Sequence, residues 1–310
     1  MGMKPYAGDM TVRDWDLRHF RLLDALAEAG SIGAAARLLG LAQPNASRLL
    51  DSMERSAGFP LAERSARGSR LTDRGLVLAG LASEVLASAT RVTHAVDALA
   101  GQGGSLHICA SLTVAEHLMP AWLATAQQQL PTLSITLDVG NSASVFERLR
   151  DGSVDLGFVE GPTIETGFRY LDLARDDLLV VVPSAHPWAE QAQVEVQEVV
   201  NSTLVVRETG SGTRQVAERA LAAHAVGHEA ASRLEVGSNA ALVASVVAGL
   251  GPGVVSRMAV SPELLTGRLV AVDVPGLVLA RTLRAVWPAK VPLSQETGEF
   301  LGLVQSLVTG

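Results

Sequence analysis

Gln43, Asn45, Ser47 and Arg48 fall within one short stretch. All are hydrogen-bonding types suited to base edges and phosphates. Pro44 stands among them, at a place where a first-turn proline costs a helix nothing because that N–H has no partner anyway. Further on, Arg64, Arg67 and Arg70 recur at three-residue spacing with Gly68 between them. That pattern suits a hairpin holding guanidinium groups toward phosphates or a minor groove. The bland alternative is a helical bundle with a polar face and a solvated charged loop. The lack of any acid between Arg64 and Arg70 weighs against it.

A second group of residues could bind a small anion. Ser111-Leu112-Thr113, Gly140-Asn141-Ser142, Glu160-Gly161-Pro162 and Thr209-Gly210-Ser211-Gly212-Thr213 each follow an apolar run and precede a helical one. Backbone N–H groups and hydroxyls at a helix start accept a carboxylate or an inorganic oxyanion. Taken singly, each set is equally an N-cap or a turn. Glu160 opposes a bare anion unless it sits back from it or a cation pairs with it, for which Arg214 is the candidate.

Catalytic chemistry finds no foothold. Seven histidines are scattered without triad or metal-ligand spacing; His224 and His228 are four apart but lack a third ligand. No metal or cofactor is therefore expected. Cys109, the only cysteine, sits in an apolar run and reads as a buried core residue. Gly210-Ser211-Gly212 is too short for a nucleophile elbow, and a Gly-x-Gly-x-x-Gly fingerprint after the first strand is absent.

The elements that position these groups follow from periodicity. Asp16 to Ala29 reads as a helix with Leu17, Phe20, Leu23, Leu26 and Ala27 inward, ended by Gly30. Ser31 can cap the next helix, Ile32 to Leu39. Gly40-Leu41-Ala42 turns the chain into a third helix from Gln43 to about Arg55, with Ala46, Leu49, Leu50 and Met53 inward. Two helices joined by so short a turn make a helix-turn-helix, whose second helix enters the major groove. From Asp73 to Ala100 there is no proline, and Leu78, Val85, Val92 and Leu99 recur every seven residues, as do Ala82, Ala89 and Val96. This is an a/d seam for a dimerisation helix; a core helix packed within one chain is the alternative. Gly101 to Gly104 forms a hinge. Beyond it strands and helices alternate, implying parallel sheets with helices on both faces, where ligands sit beyond the carboxyl ends of the strands.

Bulk properties agree. At 310 residues the chain has room for about two domains, and 48% hydrophobic against 18% charged residues excludes a disordered chain. Residues 1–75 carry 11 Lys+Arg and 9 Asp+Glu, a net of +2, while the remainder carries 14 and 23, a net of −9. A nucleic-acid module at the front is the simplest reading. Residues Met1 to Met10 lack a signal core, and the longest uncharged run, Gly237 to Ser256, is broken by Gly249-Leu250-Gly251-Pro252-Gly253. A cytoplasmic protein without a membrane partner is expected.

The run from Phe20 to Gly75 resembles the DNA-binding domain of LysR-type transcriptional regulators. The shared frame is Phe20 and Leu23; Ser31, Ala34, Ala35 and Leu38; Gln43, Pro44, Ser47 and Arg48; Gly58, Pro60, Leu61, Glu63 and Arg64; then Leu71, Thr72 and Gly75. Arg67 and Arg70 match loosely. Ala62 stands where the family usually has Phe, and Asn45 where it has a smaller or apolar residue. The Gly-Ser-Gly-Thr-Arg and Val-Glu-Gly-Pro pieces resemble the branch of carbon-fixation and sulfur-assimilation regulators. The resemblance implies an α/β chain with an all-α winged helix-turn-helix, a linker helix, and two Rossmann-like lobes similar to type 2 periplasmic binding proteins. The implied layout is a disordered tail (1–14), the winged domain (15–72), the linker (73–100), the hinge (101–104), lobe I (105–178 and 280–310) and lobe II (179–279). The implied partners are a double-stranded DNA operator, a small acidic effector, and further copies forming a homodimer and a homotetramer. Two rivals stand beside this non-enzymatic regulator: an architectural DNA-binding protein whose lobes only oligomerise, and an enzyme with a DNA-binding appendage.

Overall fold

Asp16 opens the first helix of the computed structural model, which describes residues 15–65, 68–99, 104–224 and 233–309. Residues 1–14, Arg67 and the hinge residues 101–103 lie outside them. The chain forms two compact units, residues 1–96 and 97–310. In the first, the Asp16 carboxylate accepts the Arg18 N–H at 2.9 Å, and α1 (Leu17–Ala29) ends at Gly30, whose φ of 66° brings its N–H back to Leu26. Ser31 caps α2 (Ile32–Leu38), accepting from the Ala34 N–H at 3.3 Å. After Gly40, α3 (Gln43–Ala57) buries Ala46, Leu50 and Met53 against Leu22, Leu23 and Leu26 of α1 and Ala35 of α2. The inward face of α1 thus centres on Leu22 and Leu26; Leu17 and Ala27 are exposed, contrary to the sequence pattern, since each lies a third of a turn or more off that face.

A hairpin follows, β1 (Ala62–Ser65) paired antiparallel with β2 (Gly68–Leu71), Glu63 opposite Arg70. Glu54 of α3 accepts the N–H groups of Leu61 at 2.8 Å and Ala62 at 3.1 Å, fastening the third helix to the hairpin. Thr72 donates its hydroxyl to Pro60 O at 3.1 Å and accepts the Gly75 N–H at 3.0 Å. A Cβ on Gly75 would lie 2.1 Å from Leu61 O. Pro60-Leu61 and Leu71-Thr72-x-x-Gly75 are therefore two halves of one corner, which is the physical reason they occur together.

The long helix α4 (Asp73–Leu99) begins inside this corner. Ala79 and Ala82 are buried and Leu78 is half-buried, all against the core of their own unit. Leu78 and Ala82, the first two residues of the expected seam, are thus engaged within the chain. Further along, Val85, Val92 and Val96 are exposed and Ala89 is half-buried; the Leu99 side chain lies outside the described residues. No described helix is long and apolar enough to cross a membrane.

The second unit opens with β3 (Ser105–Ser111), α5 (Leu112–His117), α6 (Met119–Gln129), β4 (Ser134–Gly140), α7 (Ser142–Asp151) and β5 (Leu156–Val159). Leu118 separates α5 from α6, whose first turn holds Pro120. One long strand, β6 (Phe168–Pro183), then serves two sheets. After it come α8 (Val196–Asn201), β7 (Leu204–Arg207), α9 (Gly212–Ala222), β8 (Arg233–Val236), α10 (Asn239–Val247), β9 (Gly253–Ser256), α11 (Arg257–Leu265) and β10 (Leu269–Val272). The chain returns along β11 (Ala280–Pro288) and ends in α12 (Gln295–Thr309).

The strand order is β4-β3-β5-β11-β6 in one lobe; β6 continues into β9-β7-β8 in the other, with β10 also on β6. Residues Phe168–Asp177 of β6 pair with β11, and Leu178 onward pairs with β9. The outer strands are parallel, but β6 and β11 run antiparallel to their neighbours. The sheets are therefore mixed rather than wholly parallel, because the two connecting strands must run in opposite directions. Each sheet is covered on both faces, by the clusters around Phe158 and Phe146 in the first lobe and around Val180 and Val181 in the second.

Candidate functional site

In the first unit, Gln43, Pro44, Asn45 and Arg48 project from the start of α3 and are exposed; Ser47 is half-buried, behind Arg48. Ala42 before them offers no side-chain cap, so the first amides of α3 stay open to an acceptor from outside. The Ser31 hydroxyl is engaged as a cap. On the hairpin, Arg70 is exposed. Arg64 lies in β1 opposite Ser69, but its side chain, like all of Arg67, is outside the described residues. Arg74, which the spacing argument passed over, holds its guanidinium 5.1 Å above the Phe59 ring.

In the second unit, strand ends from both lobes meet in a buried polar cluster. Ser111 and Thr113 end β3 and begin α5; Glu160 follows β5; Ser211 and Thr213 flank the start of α9; all are buried. At their centre is Arg281 of β11, which is 5% exposed. Its Nε donates to Asp176 at 2.8 Å, Nη1 to Thr213 at 2.9 Å, and Nη2 to Thr113 at 3.0 Å. Glu160 lies 3.2 Å from the same guanidinium. Glu160 accepts the Ser111 hydroxyl at 3.0 Å and the Thr213 hydroxyl at 3.3 Å, and Ser256 donates to Asp176 at 3.0 Å. A buried carboxylate is stable only when paired and hydrogen-bonded; the partner of Glu160 is Arg281. Arg214, the partner suggested by sequence, pairs instead with Glu218 and Glu235 and donates to Arg207 O at 3.1 Å, toward β7 and β8 and not toward Glu160.

Around this centre the lobes touch repeatedly. Asn141 caps α7 through Ser144 and donates Nδ2 to Thr209 O and to Glu208, each at 3.3 Å. The Ala143 N–H reaches Gly210 O at 3.2 Å, and within lobe I Ser142 accepts the Glu160 N–H at 3.4 Å. Gly212 must be glycine, since a Cβ there would lie 2.6 Å from Gly161 N. Leu112 is half-buried and Thr209 exposed at the rim. Arg207 is 1% exposed, donates to Asn239 Oδ1 at 2.5 Å, and makes a paired contact to Glu208 at 2.8 and 3.0 Å. Burial raises the Glu208 pKa, but the Arg207 bonds outweigh it and the net shift is downward. Asn239 donates to Glu116 at 3.1 Å and Thr113 at 3.4 Å, closing the cluster.

Arg207, Asp176, Asn239 and Arg281 all escaped the motif search. The available signal was a charged residue inside an apolar strand, as in Leu204-Val-Val-Arg207 and Leu279-Ala-Arg281-Thr-Leu283. Burial pushes the Cys109 thiol up to about 11, as suits a core residue. Among the described residues no His, Cys, Asp and Glu group could hold a metal.

Comparison with known proteins adds to this geometry. Residues 17–76 match the model for the bacterial regulatory helix-turn-helix protein, lysR family, and residues 99–308 match the LysR substrate binding domain. An uncharacterized HTH-type transcriptional regulator of Mycobacterium tuberculosis is 41% identical over 278 residues, 86% of this chain and 89% of its own. The HTH-type transcriptional regulator CbbR of Rhodospirillum rubrum is 33% identical over 86% of this chain and 87% of its own. Among solved structures, the Synechocystis CcmR regulatory domain in complex with 2-PG superposes with a TM-score of 0.61 at 25% identity, over 66% of this chain and 98% of its own.

Proposed function

The chain belongs to the LysR family of transcriptional regulators, and on that premise we propose how its residues divide the work. It is a DNA-binding regulator controlled by a small-molecule effector. In our reading α3 lies in the major groove with Gln43, Asn45, Ser47 and Arg48 at base edges and Pro44 at the helix start. Ser31 and the wing residues Arg64, Arg67 and Arg70 take the phosphates and the minor groove. Val85, Ala89, Val92, Val96 and Leu99 form the seam of a homodimer, joined by Val77 and Leu81 where Leu78 and Ala82 turn inward; two dimers make a tetramer on two half-sites. Lobe I comprises 105–178 and 280–310 and lobe II 179–279. The protein acts in the cytoplasm, where the operator is, and turns over no substrate.

The effector is a small acid, carrying a carboxylate or a phosphate, bound where the lobes meet. One observation carries this: the starts of α5, α7 and α9 converge with the buried guanidinium groups of Arg207 and Arg281. Helix starts and guanidinium groups both favour an anion. That the related CcmR domain was solved with 2-PG supports the class. The acid competes with Glu160 for Arg281 and for the Ser111 and Thr213 hydroxyls, with Thr113, Asn141, Ser142 and the Thr209-to-Gly212 backbone lining the rest. It moves the lobes only as far as it binds one arrangement more tightly than the other.

The double variant Thr113→Ala, Ser211→Ala tests this. Titrated with 2-PG and a panel of small carboxylates, the parent protein shows a ligand-dependent change in operator binding by fluorescence anisotropy. The variant loses that change while keeping its affinity for the operator without ligand. A variant that still responds in full would refute the assignment.

A further inference from the structure

A cavity of about 360 Å³ lies in the same unit, with Arg281 of the lobe junction in its wall but neither Ser111 nor Thr113. Its wall holds three arginines, Arg219 of α9 and Arg281 and Arg284 of β11, and no acidic residue. Pro162, Val216 and Val278 supply an apolar side, and Val278 is 76% exposed although its neighbours are core residues. The volume is that of an ordinary small-molecule pocket.

Arg281 is already paired with Glu160 and Asp176 behind the wall; the other two arginines are less fully compensated. Arg284 gives its Nε to Asp172 at 2.7 Å, an acid whose side chain is itself 69% exposed, and its Nη1 reaches only Gly161 O at 3.5 Å. Arg219 is exposed and makes no hydrogen bond or ion pair among the described residues. The chain as a whole carries −7, so a wall with the unpaired Arg219 and the singly paired Arg284 runs against the background. An anion in the cavity supplies Arg219 with the counter-charge it lacks and Arg284 with a second one. A planar guanidinium binds a carboxylate or phosphate through two parallel hydrogen bonds.

We infer that this cavity is a second ligand site, beside the cluster around Thr113 and Thr213 and sharing Arg281 with it, for a small organic acid with an apolar body. Its carboxylate or phosphate lies between Arg219 and Arg284, and its apolar part covers Pro162, Val216 and Val278. Ala280, Arg281 and Thr282 line the cavity from β11, the strand that also carries Arg281 into the lobe junction. A ligand here therefore acts on the strand that holds the first site together, and the two ligands alter each other's affinity reciprocally.

The test uses the full-length protein with fluorophenylacetate as probe, followed by the broadening of its fluorine resonance. The parent binds it, and Arg219→Glu weakens binding by about tenfold or more with an unchanged melting temperature, since Arg219 is exposed. Arg219→Gln gives an intermediate loss. The variant Thr113→Ala, Ser211→Ala binds the probe as the parent does. Three results would overturn the inference: unweakened binding by Arg219→Glu, loss of binding in the Thr113 and Ser211 variant, or no binding by the parent of either fluorophenylacetate or phenyl phosphate at millimolar concentration. The second of these leaves the lobe-junction reading intact. An insensitive 2-PG response with normal fluorophenylacetate binding would do the reverse.

Discussion

The two candidate sites present polar groups in opposite ways. On α3, Gln43, Asn45 and Arg48 stand in solvent and make no demand on the fold. At the lobe junction, Thr113, Glu160, Asp176 and Arg281 are buried and satisfy one another. An exposed reader can change its side chains without changing its stability, so specificity there is free to vary. A buried cluster couples binding to folding: whatever occupies it must replace the bonds it breaks. The difference predicts that mutations in the first region alter affinity alone, and mutations in the second alter stability first.

The sharpest way to break that contrast is Arg281→Met. It leaves Glu160 and Asp176 buried without their common cation, which costs about 3–5 kcal/mol. Urea denaturation should show this loss in the second unit, with operator binding by the first unit retained. The further replacement of Glu160 by Gln and Asp176 by Asn should recover much of it, since removing all the charges is far cheaper than removing one. A loss below about 1 kcal/mol for the single variant, the range of exposed ion pairs, would mean the cluster is not the buried network described.

Gly75→Ala marks the place where the first unit is not free to vary. A Cβ 2.1 Å from Leu61 O cannot be accommodated by a side-chain shift, because the obstacle is backbone. The corner must open, at about 1–3 kcal/mol, the usual range for overpacking. Operator affinity should fall with it, because this corner sets the hairpin against α3 through Glu54. Unchanged melting of the first unit would show that the corner is slack.

Arg48→Ala is the opposite case. It should weaken operator binding by about 1–3 kcal/mol if Arg48 contacts a base, and leave the melting temperature where it was. Equal affinity would remove Arg48 from the reading surface. A drop in stability would instead move it into the class of residues at the lobe junction.

What could be read from sequence divides along the same line. The helix-turn-helix follows from spacing because its segments are local: each cap, turn and apolar repeat lies within a few residues of its partners, as with Ser31 and Ala34. The alternation of strands and helices in the second unit is legible for the same reason. The hub of the lobe junction is not, since Arg281 meets Thr113 across 168 positions and Asp176 across 105. Motif spacing carries no information over such distances. The strand ends named from sequence do meet, but what they meet around is a long-range fact. The pairing of Glu160 with Arg281 rather than Arg214 is the clearest instance: Arg214 is nearer in sequence to the second lobe's strand end, yet its helix turns it to Glu218, Glu235 and the Arg207 carbonyl. The seam on α4 divides similarly, since a sevenfold repeat cannot tell a partner helix from the chain's own core at Leu78 and Ala82.

Glu208 lies between the two regimes, and its response to pH is the finest test of the contrast. It sits at the rim of the lobe junction, half-buried, paired with the buried Arg207 and accepting from Asn141. Burial alone would raise its pKa, but the bonds from Arg207 bring it below the ordinary glutamate value. A carboxylate held lower in the folded state than in the unfolded one adds stability above the unfolded value, and that stability drains away as pH falls through the folded value. The stability difference between the parent and Glu208→Gln should therefore be constant from neutral pH down to about the unfolded carboxylate value and shrink below it. Its size at neutral pH should be about 1 kcal/mol, that of one partly exposed charge-assisted contact. Unfolding by urea at a series of pH values reads it directly. A difference independent of pH would mean that Glu208 contributes shape rather than charge, and that Arg207 is held by Asn239 alone.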